Sequence, residues 1–196
     1  NKVDAHCMFD SIDICLVQSG GSHADLSEDY FLIFRDCKAL SQYFNQSYLS
    51  RVKFDDFYAS LPDLNQKFDT RVILRGYHFF KENNRVLDLM DSLNKHDLET
   101  FLHHILASGN SSYHYLQNVL NKHDMKQGLA LALMMAENHL TAKGAWRVHG
   151  GGFAGTILMF VPKTLTSTLK SSFEKVFGEG SFIQIRLRED GVIRVL

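Results

Sequence analysis

The chain has 196 residues, 45% of them hydrophobic and 22% charged, and its formal net charge is −1. This length suits one domain spanning residues 1–196, and the composition is ordinary for a globular protein with an apolar core. A net charge near zero argues against nucleic acid as a partner, because binding along a phosphate backbone needs a positive surface.

Cysteine use and apolar patterning indicate the compartment. The three cysteines, Cys7, Cys15 and Cys37, are odd in number and form no C-x-x-C pair. We therefore expect no disulfide framework and a cytoplasmic location. No apolar run reaches the length of a membrane span, so no membrane partner is expected. The sequence begins at Asn1 without a signal pattern, and we interpret it as a piece of a longer protein. It indicates no oligomeric state.

The first predicted elements are a strand and a helix. The short apolar, β-branched run 12–17 predicts a buried strand, which ends at Gly20 and Gly21. Ser22 and Asp25 form an S-x-x-D capping pair that predicts a helix. Apolar residues then recur at helical spacing and predict its buried face: Leu26, Tyr30, Ile33, Phe34, Cys37, Leu40 and Phe44.

A helical block is predicted from about 54 to 140. Apolar spacing within it indicates one helix from about Thr70 and another from Asp97 that ends at Gly109. Ser111-Ser112 would cap a further short helix. Residues 126–140, rich in Ala, Leu and Met, have the highest helix propensity.

The tail returns to strands. The pattern predicts a strand at about 145–148, a glycine loop at 150–155 and a second strand at 156–161. A helix at about 165–177 and a last strand at 182–187 follow. Four strands and a tail helix predict an α+β fold, a mainly antiparallel sheet with helices on one face. The helical block would be an insertion after the first strand–helix pair.

The glycine loop is the first candidate site. Gly150 to Gly155 satisfy G-x-G-x-x-G, but the dinucleotide fingerprint requires a helix directly after the glycines. Here a strand-like run follows and reaches Pro162, so we reject the dinucleotide interpretation. Two interpretations stay open: a loop that merely turns the chain, or one that brings backbone N–H groups to a phosphate or sugar.

The second candidate is the turn after the first strand, Ser19, Gly20, Gly21, Ser22 and His23. Free N–H groups at the start of the following helix would favour an anion, although a plain strand-to-helix turn explains the pattern equally well.

Tyr30, on the same helix, either packs in the core or contacts a sugar hydroxyl. His103, His104 and His114 fit no zinc spacing, so no metal site is predicted.

Taken together, several segments resemble galactokinases of the GHMP kinase superfamily. Residues 144–156 resemble the third GHMP signature, and 19–30 resemble a galactokinase stretch that ends in a sugar-contacting tyrosine. Residues 75–86 carry a similar R-x-x-H and E-N-x-R-V pattern, and 108–112 a comparable turn. Their order and spacing match the family over nearly the whole chain.

The resemblance implies a ferredoxin-like C-terminal domain of a kinase that transfers the ATP γ-phosphoryl group to the C1 hydroxyl of galactose, with Mg²⁺. Tyr30 would contact galactose. The cleft between two domains would be lined by one loop: His149, Gly150, Gly151, Gly152, Phe153, Ala154 and Gly155. The family's G-E-H-x-D-Y motif, phosphate loop and catalytic Asp do not occur in this sequence. We therefore expect no catalytic residue in these 196 residues, no kinase activity from them alone, and ATP and Mg²⁺ bound mainly by the N-terminal domain.

Two departures leave substrate identity open. His149 stands where many members carry Thr, and Ala154 where Gly is common. The alternatives are a non-catalytic sugar- or ATP-binding regulator with the same fold, and a GHMP kinase for another sugar.

Overall fold

A computed structural model describes residues 7–21, 26–120, 122 and 125–187. One antiparallel sheet has the order β2-β3-β1-β4. Its strands are β1 Ile12–Gln18, β2 Ala145–His149, β3 Thr156–Pro162 and β4 Phe182–Ile185. This is the strand order of a ferredoxin-like unit, and it confirms the predicted fold class.

Seven helices are seen in the described residues: α1 Ser27–Tyr43, α2 Phe54–Ala59, α3 Leu61–Lys67, α4 Thr70–Asn94, α5 Leu98–Ser111, α6 Gly128–Leu140 and α7 Thr166–Phe177. As predicted, Asp97 caps α5, because its side chain accepts a hydrogen bond from the Thr100 N–H at 3.0 Å. The predicted capping pair, Ser22 and Asp25, lies outside the described residues.

One face of the sheet packs against α6 and α7. In β3, Ile157, Met159 and Val161 point to this face and are fully buried. Ala132 and Ala136 of α6 are also fully buried, and their small side chains let this helix lie close to the strands. Of these two helices, α7 is the tail helix that was predicted to lie on the sheet.

The opposite face is also covered. Phe160 of β3 and Ala145 of β2 are buried there against Phe101 and Ile105 of α5. The rings of Phe101 and Phe160 meet edge to face with centroids 5.2 Å apart. The helical insertion therefore covers the second face of the sheet.

The predicted bounds of the insertion, 54 to 140, are wrong at both ends. α1 packs on α4 through a separate helical core that includes Leu40, Phe57 and Phe80. α6 is instead one of the two helices on the sheet. Apolar periodicity shows that a helix has a buried face, but not which element covers that face.

Two local predictions are also corrected. Phe34 is 66% exposed, so it does not belong to the buried face of α1. Gly109 does not end α5, which runs to Ser111. A Cβ at Gly109 would lie 2.9 Å from the carbonyl oxygen of Trp146, so the glycine allows α5 to approach β2.

Candidate functional site

The glycine loop joins β2 to β3 as a compact bend. Gly150, Gly152 and Gly155 have φ values of 73°, 81° and 98°, and Phe153 has φ 60°. Such left-handed conformations favour glycine and account for the glycine-rich sequence. Phe153 is 4% exposed, so the bend is packed against the protein.

Tyr30 lies directly on this bend. Its hydroxyl donates a hydrogen bond to the Gly152 carbonyl at 2.9 Å. A Cβ at Gly151 would fall 2.5 Å from Cε1 of the Tyr30 ring, so only glycine leaves room for it. Burial, and to a lesser extent the charge of Asp29, raise the pKa of Tyr30, which keeps the phenol protonated and able to donate.

The turn after β1 packs against the same bend. The Ser19 N–H and the Ser19 hydroxyl both donate to the Gly155 carbonyl at 2.8 Å, and the Gly155 N–H donates to Gly20 at 3.2 Å. A Cβ at Gly21 would lie 3.0 Å from that of Ala154. Two candidate segments predicted separately are thus one structure. Ser22 and His23 lie outside the described residues.

Asn118 fixes the bend from the other side, and sequence reasoning missed it. Its amide group donates to the Gly151 carbonyl at 3.0 Å, and its backbone carbonyl accepts from the Phe153 N–H at 2.5 Å. The N–H groups of Phe153 and Gly155 are therefore used within the protein. An anion at the bend could meet only the remaining amides.

A cavity of about 760 Å³ opens beside the bend, with Phe153 in its wall. Leu120 and Met125 extend the apolar part of the wall. The charged part includes Asp29, which is 3% exposed and has Oδ1 3.4 Å from Nζ of Lys122. An apolar pocket with a few convergent polar groups is the usual form of a small-molecule site.

A π-helical turn, Ser112–Leu116, continues α5 into this cavity. It ends at Gln117 in a left-handed conformation with φ 57°, and Tyr113, His114 and Gln117 line the cavity. The predicted short helix is present as this turn, but the prediction that Ser111 and Ser112 cap it is wrong, because the helical backbone passes through both and Ser111 makes no side-chain capping hydrogen bond. Single π-turns inside helices are frequent at functional sites.

No family model matches the chain. Among curated proteins, the galactokinase of Glaesserella parasuis serovar 5 is 22% identical over 183 residues, covering 91% of this chain and 46% of that protein. The galactokinase of Mannheimia succiniciproducens is 24% identical over 152 residues, covering 78% and 38%. A crystal structure of Lactococcus lactis galactokinase complexed with galactose superposes with a TM-score of 0.68 at 19% identity, covering 90% of this chain and 45% of that one.

The chain resembles galactokinases. The predicted resemblance is confirmed, in sequence by the two relatives and in fold by the crystal structure. The chain spans less than half the length of each galactokinase it matches here.

The other galactokinase-like segments, 75–86 and 108–112, contact each other where α4 packs against α5. The Ser108 hydroxyl donates to Glu82 at 2.6 Å, and Arg85 pairs with the same carboxylate. Arg147 of β2 lies 4.0 Å from Glu82. These polar groups join α4, α5 and β2, so this motif has a structural explanation.

His78 belongs to the same region and gives a pH prediction. Its Nδ1 lies 2.9 Å from the Ser111 hydroxyl, and burial lowers its pKa from 6.5 to about 4. Because the pKa is lower in the folded state, stability should be fully present above pH 6.5 and fall as pH drops toward 4. Urea unfolding between pH 7 and 4.5 measures this fall. His78→Asn should reduce the slope. Identical slopes for wild type and His78→Asn would contradict the prediction.

The part of the chain that the structure describes contains no group of three or more His, Cys, Asp or Glu side chains placed to hold a metal ion. Nor does any described helix of this galactokinase-like fold combine the length and apolar character needed to cross a bilayer.

Proposed function

We propose that the chain forms one wall of the sugar site in a cytoplasmic, ATP-dependent galactokinase that phosphorylates galactose at the C1 hydroxyl. One observation carries the proposal: Tyr30 rests on the glycine bend at Gly151 and its ring lies 5.7 Å from that of Phe153, which lines a cavity of about 760 Å³. The two segments that make this contact are those that resemble galactokinase signatures, although they stand 122 positions apart.

The proposed role of Tyr30 follows from its position. A tyrosine hydroxyl can both donate and accept, so the oxygen that donates to Gly152 can also accept from a sugar hydroxyl. The bend fixes the ring through the carbonyl of Gly152 and the close contact at Gly151. The residues of the bend would hold Tyr30 in place, a positioning rather than a catalytic role, and His149 would line the cleft beside them.

We place the rest of the reaction outside these residues. Phosphoryl transfer needs a positioned nucleotide, Mg²⁺ to neutralise charge and a carboxylate near the acceptor. The chain lacks the family's phosphate loop and G-E-H-x-D-Y motif, and its described residues offer no metal cluster. ATP and Mg²⁺ would therefore be bound mainly by a second domain in a longer protein.

The test has two stages. Isothermal titration of the 196-residue chain with galactose and ATP should show no tight binding of both, and a coupled assay should show no turnover. In a longer protein containing this chain, the assay should show phosphorylation of galactose ahead of other sugars. Tyr30→Phe should lower kcat/KM for galactose about tenfold, the effect of one lost hydrogen bond.

Tyr58→Phe is the matched control, because Tyr58 is a 58% exposed tyrosine of α2, whereas Tyr30 contacts the bend. Equal kcat/KM values for the two variants would contradict the role of Tyr30. A different preferred sugar would favour the alternative of another GHMP kinase. Sugar and ATP binding without turnover would favour the non-catalytic regulator.

A further inference from the structure

Arg71, the second residue of α4, is a positively charged residue in the wall of the cavity. No sequence pattern pointed to it. Within the described residues, its guanidinium reaches one acceptor, the Gln117 carbonyl, at 3.4 Å. Its Nε is buried and has no hydrogen-bond partner among these residues, and no carboxylate of theirs lies within 4.0 Å. A partly buried positive charge without a close counter-ion is costly.

The neighbouring acids are already engaged. Asp36 pairs with Arg75, one turn further along α4, with Oδ2 2.5 Å from Nη1. Asp29 is paired with Lys122. Both carboxylates act on Arg71 only at a distance, whereas burial and the charge of Arg75 lower the pKa of Arg71. The local arrangement therefore favours an additional negative charge near Arg71.

The charges of the cavity wall agree with this. Arg71 and Lys122 carry two positive charges against the one negative charge of Asp29. Lys122 has a side chain 55% exposed, so its ammonium group can reach a ligand while it remains near Asp29. Gln117 and His114 add polar groups to the same wall.

We propose that the cavity contains an anion subsite for a phosphate monoester, held by Arg71 and Lys122. A guanidinium binds phosphate oxygens with two parallel hydrogen bonds, and an ammonium group adds a second positive charge. The phosphate could belong to a sugar phosphate or to a nucleotide. The identification of that ligand as the product of a sugar kinase rests on the proposed function, but the anion subsite does not.

In the experiment, inorganic phosphate is titrated into the 196-residue chain at constant ionic strength. Binding is measured by calorimetry and by the shift in Tm. Arg71→Gln should weaken phosphate binding about tenfold, the effect of a lost charge-assisted pair. Lys122→Gln should weaken it to a lesser degree. Arg51→Gln, an exposed arginine outside the cavity wall, should leave it unchanged.

Equal phosphate affinity in wild type, Arg71→Gln and Lys122→Gln, or no phosphate binding at all, would overturn the subsite. Should Arg71→Gln fail to fold by circular dichroism, Lys122→Gln decides, because its exposed side chain can be replaced without disturbing the core. Galactose 1-phosphate and ADP are titrated in parallel to identify the source of the phosphate. If galactose 1-phosphate binds no more tightly than inorganic phosphate, the anion subsite stands and its assignment to a sugar phosphate fails. The galactose site itself is tested separately, by the coupled assay on the longer protein.

Discussion

Replacing Arg75 by methionine should lower the free energy of unfolding by about 3–5 kcal/mol, the largest stability effect we expect in this chain. The side chain is 2% exposed, and its Nη1 lies 2.5 Å from Oδ2 of Asp36, which is itself buried. Methionine fills much of the volume but leaves the Asp36 carboxylate without its buried partner. Arg35, 3.4 Å from Asp36 and 61% exposed, compensates only in part. Urea unfolding at pH 7 measures the change.

The matched control is Lys95→Gln. Lys95 pairs with Asp91 at 2.7 Å, but both side chains are more than half exposed, so its loss should cost below about 1 kcal/mol. The double variant Arg75→Met with Asp36→Leu should recover much of the lost stability, because no charge is then left buried alone. If Arg75→Met is no more destabilising than Lys95→Gln, the buried pair does not hold α1 to α4.

Gly151→Ala should lower the free energy of unfolding by about 1–3 kcal/mol and displace Tyr30. The new Cβ would lie 2.5 Å from Cε1 of the Tyr30 ring, so the ring must move away from the bend. That movement would weaken the hydrogen bond from Tyr30 to Gly152. Urea unfolding measures the cost, and the near-ultraviolet circular dichroism of the tyrosine reports the displacement.

A double-mutant cycle with Tyr30→Ala separates the steric contact from backbone strain. Truncating Tyr30 should relieve the clash, giving a coupling energy of about 1 kcal/mol or more between positions 30 and 151. Gly150→Ala is the control, because Gly150 has φ 73° and open space around its Cβ position. It should be destabilising through its backbone alone and show no coupling to Tyr30. Equal coupling at both glycines would refute the close contact at Gly151.

The strands could be predicted because their chemistry is local. β-branched apolar runs, the glycine cluster and Pro162 marked both ends of β3 to within one residue. The run Ile157 to Val161 is also apolar without alternation, which is typical of a strand covered on both faces. The structure agrees with this pattern, because α5 covers the second face of β3.

The supporting residues of the site could not be predicted, because they act through contacts between distant segments. Asn118 supports the bend with its side-chain amide and its backbone carbonyl, and no spacing rule points to it. Arg71 reads in sequence as an ordinary polar residue at a helix start. Tyr30 and the glycine bend were recognised only through the joint family resemblance, since each pattern alone is common in structural roles.

The central position of β1 has a consequence for how the chain folds. Ile14 pairs with Phe160 on one side and with Ile185 on the other, so the earliest strand has both its neighbours in the last quarter of the chain. During synthesis, β1 must wait until the residues of β3 and β4, 156–185, have emerged, while the helices α1 to α5 can collapse around their own local contacts. We therefore expect the sheet to assemble slowly and late. The intermediate in which the apolar strand β1 is still exposed should be the species most prone to misassociation.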